Sequence, residues 1–273
     1  MPSGIHKVDN LRLSPVSAVL NHCKPGIEVA ALTDVGRLRA NNEDSYSFWE
    51  PESENDVRRK GRLAIIADGM GGYEGGQEAS RLAVETVRHV YDNYFDGNPR
   101  QALLSAFLAA HESIHRYASE HIHFQGMGTT CTAAAVIERQ LYFAHVGDSR
   151  LYLIRPDSVS RLTRDHSYVG RLVESGIVRS EDAESHPQRH ILTAALGSGR
   201  EVIPDVSDQA HTLHIGDTLL LCTDGLWSVV GEHALAPIVC DRSPSDACVA
   251  LVKLALEKGG PDNITAIILR IRG

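Results

Sequence analysis

The sequence predicts an α+β fold, in which helices pack on the faces of largely antiparallel sheets. Strand-like apolar runs occur on both sides of a central stretch with helical periodicity, and they follow one another closely. Such short connections favour antiparallel pairing, because parallel strands need crossover segments of a dozen or more residues. With 273 residues, 42% of them hydrophobic, the chain can form one globular domain with a substantial core.

The first part of the chain is expected to hold an extension followed by strands. Residues 1–26 show little apolar periodicity and end in a Lys-Pro-Gly turn signal, so we expect an extension that packs loosely against a domain spanning residues 27–273. We interpret the charged stretch 50–61 as a solvated hairpin loop. The strand-like runs are IEVAALT from Ile27, SYSFW from Ser45 and RLAIIAD from Arg62.

Apolar residues recur at helical spacing between Glu74 and His121, which predicts two amphipathic helices. Asp96-Gly97-Asn98-Pro99 separates them, and its Asp-Gly pair is typical of a turn. Further helices are predicted near residues 166–175 and 243–258. The remaining strand-like runs are CTAAAVI, LYFAHV, RLYLI, DTLLLCT and NITAIIL.

Charge and cysteine usage disfavour several classes of protein. The formal net charge is −8, and the only Lys/Arg cluster is Arg58-Arg59-Lys60, which argues against nucleic acid as a partner. No run approaches the roughly 20 apolar residues that span a membrane, and the N-terminus does not resemble a secretory signal, so we expect a cytoplasmic protein. The five scattered cysteines form no CxxC pair and are expected to be reduced thiols.

Aspartates stand at the ends of the predicted strands. Asp68, Asp148 and Asp224 each follow an apolar run, and Asp262 immediately precedes the last one. Each Asp-Gly pair alone is equally well explained as a turn. Together, however, converging carboxylates would repel one another unless a cation neutralised them, and oxygen ligands favour magnesium, manganese or calcium over zinc.

Two glycine-rich or polar segments accompany these aspartates. Gly69 lacks a side chain, so its carbonyl can approach a metal held by Asp68. A nucleotide-binding phosphate loop over residues 68–76 is the rival interpretation, but neither GxxxxGK[ST] nor GxGxxG is present. In residues 33–44, Arg39 stands near an acidic pair. A solvated loop would explain this segment, whereas a guanidinium fork beside a metal site would bind a phosphate dianion.

Six blocks of sequence resemble the PPM (type 2C) metal-dependent protein serine/threonine phosphatases, in the order in which that family has them. The resemblance covers about residues 27–272, and the Met-Gly-Gly after Asp68-Gly69 is similar to the compact bacterial branch. The blocks are Arg39-x-x-Asn42-Glu43-Asp44, Ala67-Asp68-Gly69-Met70-Gly71-Gly72, Gly128-Thr129-Thr130, His145-Val146-Gly147-Asp148-Ser149-Arg150, Thr223-Asp224-Gly225-Leu226-Trp227 and Asp262-Asn263-Ile264-Thr265.

The resemblance implies a four-layer αββα sandwich of two antiparallel β-sheets flanked by helices, with Mn²⁺ or Mg²⁺ bound at one edge. By this resemblance Asp68 bridges two ions, Asp224 and Asp262 bind the first, and the Gly69 carbonyl binds the second. Glu43 and Asp44 hold waters of the second ion or touch it. Arg39 binds the substrate phosphate, and Asp148 with Asp224 matches the position of a weaker third ion.

The resemblance also implies an activity, partners and a mobile flap. The substrates would be phosphoserine and phosphothreonine in proteins, modified by a serine/threonine kinase of a bacterial signalling pathway. Apart from the resemblance, we expect a cytoplasmic monomer without membrane contacts. A water activated by two metals attacks phosphorus without a phosphoenzyme. Residues 165–196, including His186-Pro187-Gln188-Arg189, match the flap. Met70 departs from relatives that carry a candidate general-acid histidine there.

Other functions and sites remain as alternatives. A phosphoprotein-binding module without activity would share this fold, although all the metal carboxylates are present. A two-metal phosphodiesterase or nuclease is disfavoured by the acidic charge. His111 and His115, four residues apart on a predicted helix, could bind a transition metal, but a polar histidine-rich helix face explains their spacing more simply. Trp227 is expected to be a core anchor.

Overall fold

The computed structural model describes residues 20–71, 74–183, 186–199 and 201–273. The α-helices in these ranges are α1 Glu54–Lys60, α2 Gly75–Asn93, α3 Pro99–Glu120, α4 Tyr168–Glu174, α5 Ser180–Ala183, α6 Asp224–Trp227, α7 Leu235–Val239 and α8 Pro244–Glu257. The strands are β1 Leu20–Lys24, β2 Ile27–Asp34, β3 Asp44–Trp49, β4 Arg62–Met70, β5 Gly128–Thr129, β6 Cys131–Ile137, β7 Gln140–Val146, β8 Arg150–Arg155, β9 Ser158–Arg161, β10 Asp205–Val206, β11 His211–Thr212, β12 Thr218–Cys222 and β13 Ile264–Ile271.

The strands form two sheets in which all pairs are antiparallel. The first sheet has the order β1-β2-β13-β12-β8-β9, and the second has the order β10-β7-β6-β4-β3 with β11 beside β7 and β5 beside β4. An apolar core that includes Val29, Ile66, Leu141 and Ile267 fills the space between the sheets. Antiparallel pairing is therefore confirmed.

Helices cover the outer face of each sheet. The apolar faces of α2 and α3, with Val87 and Phe107 at their centres, pack on β4, β6 and β7 of the second sheet. Helix α3 begins where the sequence predicted, because Asn98 accepts hydrogen bonds from the first backbone N–H groups and Pro99 occupies the first turn. Helices α7 and α8 pack on the first sheet. The predicted αββα sandwich is confirmed.

Two local expectations were wrong. Strand β1 pairs along its whole length with β2, so residues 20–24 of the expected extension belong to the first sheet, while residues 1–19 lie outside the described residues. The stretch 50–61 is not only a loop, because it contains helix α1. Ser53 caps this helix by accepting from the Asp56 N–H, and Gly61 ends it with a φ of 72°.

Two side chains outside the predicted site have defined places. His111 does not lie on a polar face, because its side chain is on the buried face of α3, where its Nδ1 accepts a hydrogen bond from the Gly197 N–H at 3.1 Å. Trp227 is buried, which confirms its interpretation as a core anchor, and the Arg150 guanidinium lies 3.6 Å from its ring centroid.

All five cysteines are free thiols. In the described parts of the chain, every helix is too short or too polar to cross a membrane.

Candidate metal and phosphate site

The ends of the central strands of both sheets meet around one cavity of about 880 Å³. Asp68 lies near the end of β4, Asp224 follows β12, and Asp262 precedes β13. Seven of the eight residues that the sequence predicted line this cavity: Arg39, Glu43, Asp68, Gly69, Asp148, Asp224 and Asp262. The structure therefore brings residues from distant parts of the chain to one edge of the sandwich.

Asp44, the eighth predicted residue, lies directly behind Asp68. The two residues face each other across the β3–β4 pair, where like charges destabilise a sheet. Asp44 is held from the other sheet, because its Oδ2 accepts hydrogen bonds from Thr223 Oγ1 at 2.9 Å and Thr265 Oγ1 at 2.6 Å. Neither threonine was predicted as a site residue, although both belong to the blocks that resemble the family.

The carboxylates of the cavity disfavour one another's ionisation. Burial raises the pKa of Asp44 to about 7, although hydrogen bonds from the two threonines lower it. The pKa of Asp68 is raised well above its usual range, first by burial and then by the charges of Asp44, Asp224 and Asp148. Burial and the charge of Asp224 likewise raise the pKa of Asp148. Such a set of acids binds either protons or a cation, because either one relieves the repulsion among the carboxylates.

The donor atoms fit hard divalent cations. Asp44 Oδ1 and Asp224 Oδ1 are buried and lack a hydrogen-bond partner among the described residues, although buried carboxylate oxygens are normally paired. All the candidate ligands are oxygens, which suits Mn²⁺ or Mg²⁺. No three carboxylate, thiol or imidazole groups within the described ranges form a ready-made ion site. Asp262 is engaged instead by Arg39, whose Nη2 lies 2.7 Å from Asp262 Oδ2.

Asn263 connects the two loops that carry Arg39, Glu43 and Asp262. Its Oδ1 accepts from the Glu43 N–H at 2.8 Å, and its Nδ2 donates to the carbonyls of Val35 and Asn41, each at 2.9 Å. The side chain is buried, so these bonds are shielded from water. Asn263 thus places Arg39 and Glu43 beside Asp262. It belongs to one of the six blocks, but no role was predicted for it.

The packing around residue 69 requires a glycine. This is a second reason for Gly69, in addition to the close approach of its carbonyl to a metal that the sequence suggested. A Cβ at this position would lie 2.0 Å from the Gly76 carbonyl oxygen and 2.7 Å from the Glu43 carbonyl oxygen. Both obstacles are backbone atoms, so no side-chain movement can relieve the contact. The first turn of α2 can pack against the end of β4 only because residue 69 has no side chain.

We therefore expect Gly69→Ala to destabilise the fold by about 1–3 kcal/mol, which corresponds to a Tm lower by roughly 3–10 °C for a domain of this size. Thermal unfolding in a chelating buffer measures this without any contribution from metal. Gly75→Ala, at the start of α2 and with only the Met127 Cβ nearby at 3.3 Å, is the matched control and should change Tm little. Equal Tm values for the two variants would contradict the packing argument.

The segment 165–196, which the resemblance matches to a flap, contributes residues to the cavity that the aspartate pattern did not indicate. Arg189 and His190 line it, and His190 Nδ1 lies 3.6 Å from Asp224 Oδ2. Arg189 belongs to the sequence block quoted for the flap, but His190 was missed. Its only signal in the sequence was its position directly after that block. Helix α4 confirms the helical prediction near residues 166–175.

Comparison with known proteins places this arrangement in a family. The family model for protein phosphatase 2C matches residues 39–247, more than half of the chain. The protein phosphatase PhpP of Streptococcus pneumoniae is 36% identical over 248 residues, which cover 89% of this chain and 97% of the relative.

Two solved structures agree with the sequence match. The crystal structure of the Mycobacterium tuberculosis serine/threonine phosphatase PstP/Ppp superimposes with a TM-score of 0.81 at 34% identity, and the match covers 91% of this chain and 100% of that one. A catalytic domain of PstP in complex with two manganese ions superimposes with a TM-score of 0.78 at 32% identity, over 91% and 99% of the two chains. The chain described here belongs to the protein phosphatase 2C (PPM) family of metal-dependent protein phosphatases.

Proposed function

We propose that this protein hydrolyses phosphoserine and phosphothreonine in proteins, using Mn²⁺ or Mg²⁺ in the cavity described above. The observation that carries this proposal is the convergence of Asp68, Asp148, Asp224 and Asp262 on one cavity beside Arg39. Family membership supports the same activity.

We expect the cavity residues to hold two ions, and a third at a separate position. Asp68 would contact both of the first two ions, Asp224 and Asp262 would complete one, and the Gly69 carbonyl would serve the other with support from Glu43 and Asp44. Asp148 with Asp224 would hold the third. When bound, these cations supply a water of lowered pKa and neutralise negative charge on the phosphate.

The chain's own side chains bind and orient the substrate. Arg39 lies at the cavity mouth with about half of its side chain exposed, so its guanidinium can exchange Asp262 for two oxygens of a phosphate. Met70 offers no proton to the leaving group. Cys222 cannot act as a nucleophile, because burial raises the pKa of its thiol to about 12. A direct attack by water, without a phosphoenzyme, is the mechanism that these residues support.

Arg39→Ala should weaken substrate binding while metal binding persists. Loss of a charge-assisted hydrogen bond costs about 1.5–3 kcal/mol, so we expect KM for a phosphothreonine peptide to rise roughly 10- to 100-fold. Steady-state kinetics together with Mn²⁺ titration calorimetry measure both properties. Arg39→Lys keeps the positive charge but not the two-pronged guanidinium, so its KM should lie between those of Arg39→Ala and the unmodified protein. A KM unaffected by Arg39→Ala would contradict the phosphate-binding role.

The partners follow from this activity. The substrates would be phosphoproteins modified by a serine/threonine kinase in a bacterial signalling pathway. We place the enzyme in the cytoplasm as a monomer. The net charge of −8 supports a protein partner over nucleic acid.

A comparison of phosphate esters separates this function from its rivals. We expect faster turnover of p-nitrophenyl phosphate than of bis(p-nitrophenyl) phosphate in the presence of Mn²⁺. A strong preference for the diester would favour a phosphodiesterase. Tight binding of a phosphothreonine peptide without turnover, in folded protein containing metal, would favour a binding module.

A further inference from the structure

We infer that His166, oriented by Asp205, is a positioning residue that fixes the peptide of Gly147 and thereby places the carboxylate of Asp148. The catalytic consequence of this inference rests on the proposed function, whereas the structural part does not. His166 is the second residue of the flap, so the inferred contact joins the flap to the candidate site of the third ion.

The peptide groups of Gly147 are held on both sides by His166. The Gly147 N–H donates to His166 Nδ1 at 3.3 Å, and the Gly147 carbonyl accepts from the His166 backbone N–H at 2.7 Å. Gly147 has a φ of 108°, a conformation that other residues rarely adopt. A Cβ there would also lie 2.6 Å from the Thr130 side chain. The backbone just before Asp148 thus has one defined conformation.

The partners of the His166 ring determine its tautomer. A backbone N–H can only donate, so Nδ1 must carry a lone pair and Nε2 must carry the proton. His166 Nε2 lies 3.3 Å from Asp205 Oδ2, where that proton can be accepted. Asp205 is itself fixed by the second sheet, because β10 pairs with β7 and places Asp205 opposite His145. An acid on a strand therefore orients the ring that holds Gly147.

His145 also holds the peptide of Gly147. Its ring is fully buried, and its Nε2 faces the carbonyls of Gly147 at 2.9 Å and Arg164 at 3.0 Å. Both partners are acceptors, so Nε2 carries the proton, while Nδ1 accepts from Thr132 Oγ1 at 2.8 Å. His145 therefore ties the residues before the flap to the residue before Asp148.

Asp148 is held on its other side by the core anchor. Its carbonyl accepts from Trp227 Nε1 at 2.9 Å, and its side chain is buried. Gly147 is held by His166 and His145 on one side of Asp148, and the Trp227 bond holds the other side, so the His166 ring is one of the groups that set the direction of the Asp148 carboxylate. Loss of the His166 ring should therefore act on catalysis through Asp148, without a direct effect on Arg39 or Asp68.

The tautomer can be tested without metal or activity. Nitrogen-15 NMR of histidine-labelled protein in a chelating buffer reports which ring nitrogen carries the proton, and His166→Asn identifies the signal. We expect the Nε2–H tautomer at His166, with a larger share of Nδ1–H after Asp205→Ala. An Nδ1–H tautomer in the unmodified protein, or no response to Asp205→Ala, would overturn the inference.

A double-mutant cycle tests the catalytic consequence. His166→Ala should lower kcat about 10-fold, as the loss of an outer partner of a metal ligand commonly does, with KM for the peptide unchanged. In an Asp148→Asn background the same change should cost less than about 2-fold, because the two residues act as one unit. An equal loss in both backgrounds would contradict a role through Asp148.

Conservative variants separate positioning from folding. The side-chain oxygen of Asn can take the place of Nδ1, whereas Gln places its polar atoms near Nε2. We expect His166→Asn to retain kcat within about 3-fold and His166→Gln to lose it as His166→Ala does. Equal kcat for the two would contradict the inference. Absence of any Mn²⁺-dependent hydrolysis by the unmodified protein would instead contradict the proposed function, while the tautomer result would stand.

Discussion

Asp68→Asn is expected to abolish phosphate release, with kcat lower by on the order of 10³-fold or more. The pKa of Asp68 is raised first by burial and then by the charges of Asp44, Asp224, Asp148 and Asp262, so four other carboxylates act on it. An amide at this position removes the negative charge that two cations would share. Single-turnover kinetics with a phosphothreonine peptide at saturating Mn²⁺ measure the loss.

The same variant should be more stable than the unmodified protein when metal is removed. Replacing a carboxylate by an isosteric amide removes repulsion among buried acids, so Tm in a chelating buffer should rise although activity is lost. Asp157→Asn, in the exposed turn between β8 and β9, is the matched control and should alter neither property. Activity near that of the unmodified protein after Asp68→Asn would refute the site.

The metal-free protein should lose stability as pH rises from 6 to 8. The folded-state pKa values of Asp44, Asp68 and Asp148 lie above their usual range, so the folded protein binds more protons than the unfolded chain. Stability is therefore present at low pH and is lost as pH rises through the folded-state values, which for Asp44 is about 7. Titration of Asp44 alone over this range corresponds to about one pKa unit, or about 1.4 kcal/mol, so we expect Tm to be about 3–6 °C lower at pH 8.

Divalent cations should offset this loss of stability at high pH. Mn²⁺ neutralises the same carboxylates, so it should raise Tm more at pH 8 than at pH 6. Differential scanning calorimetry at both pH values, with chelator and with Mn²⁺, measures the effect, and Asp68→Asn should reduce it. A Tm that rises with pH in the chelating buffer would show that the acids of the cavity do not limit stability.

The sequence predicted the fold class and the location of the site for physical reasons. Buried strands read as apolar runs, so their ends were recognisable, and Asp68 and Asp224 stand at such ends. Amphipathic periodicity and the Asn98-Pro99 start identified α2 and α3. The resemblance to the PPM family then indicated which strand ends would meet, and the structure places Asp262 and Asp148 beside them.

The remaining features depend on tertiary contacts that leave little trace in a sequence. Strand β1 is exposed along its described side chains, so it shows no apolar period, although it pairs with β2. Helix α1 buries no residue and depends on its caps. His111 appeared on a polar helix face, yet its side chain is buried and accepts a hydrogen bond from the Gly197 N–H. The hydrogen bonds between His166 and Gly147 join residues 19 positions apart, and no local sequence pattern predicts such a contact.

The most direct test of the proposed function is phosphate release from a phosphothreonine peptide by protein stripped of metal with a chelator and then supplied with Mn²⁺. We expect no release without added metal and full recovery of turnover with Mn²⁺ in the unmodified protein. The absence of activity with Mn²⁺ or Mg²⁺, in protein shown to be folded, would contradict the proposed function.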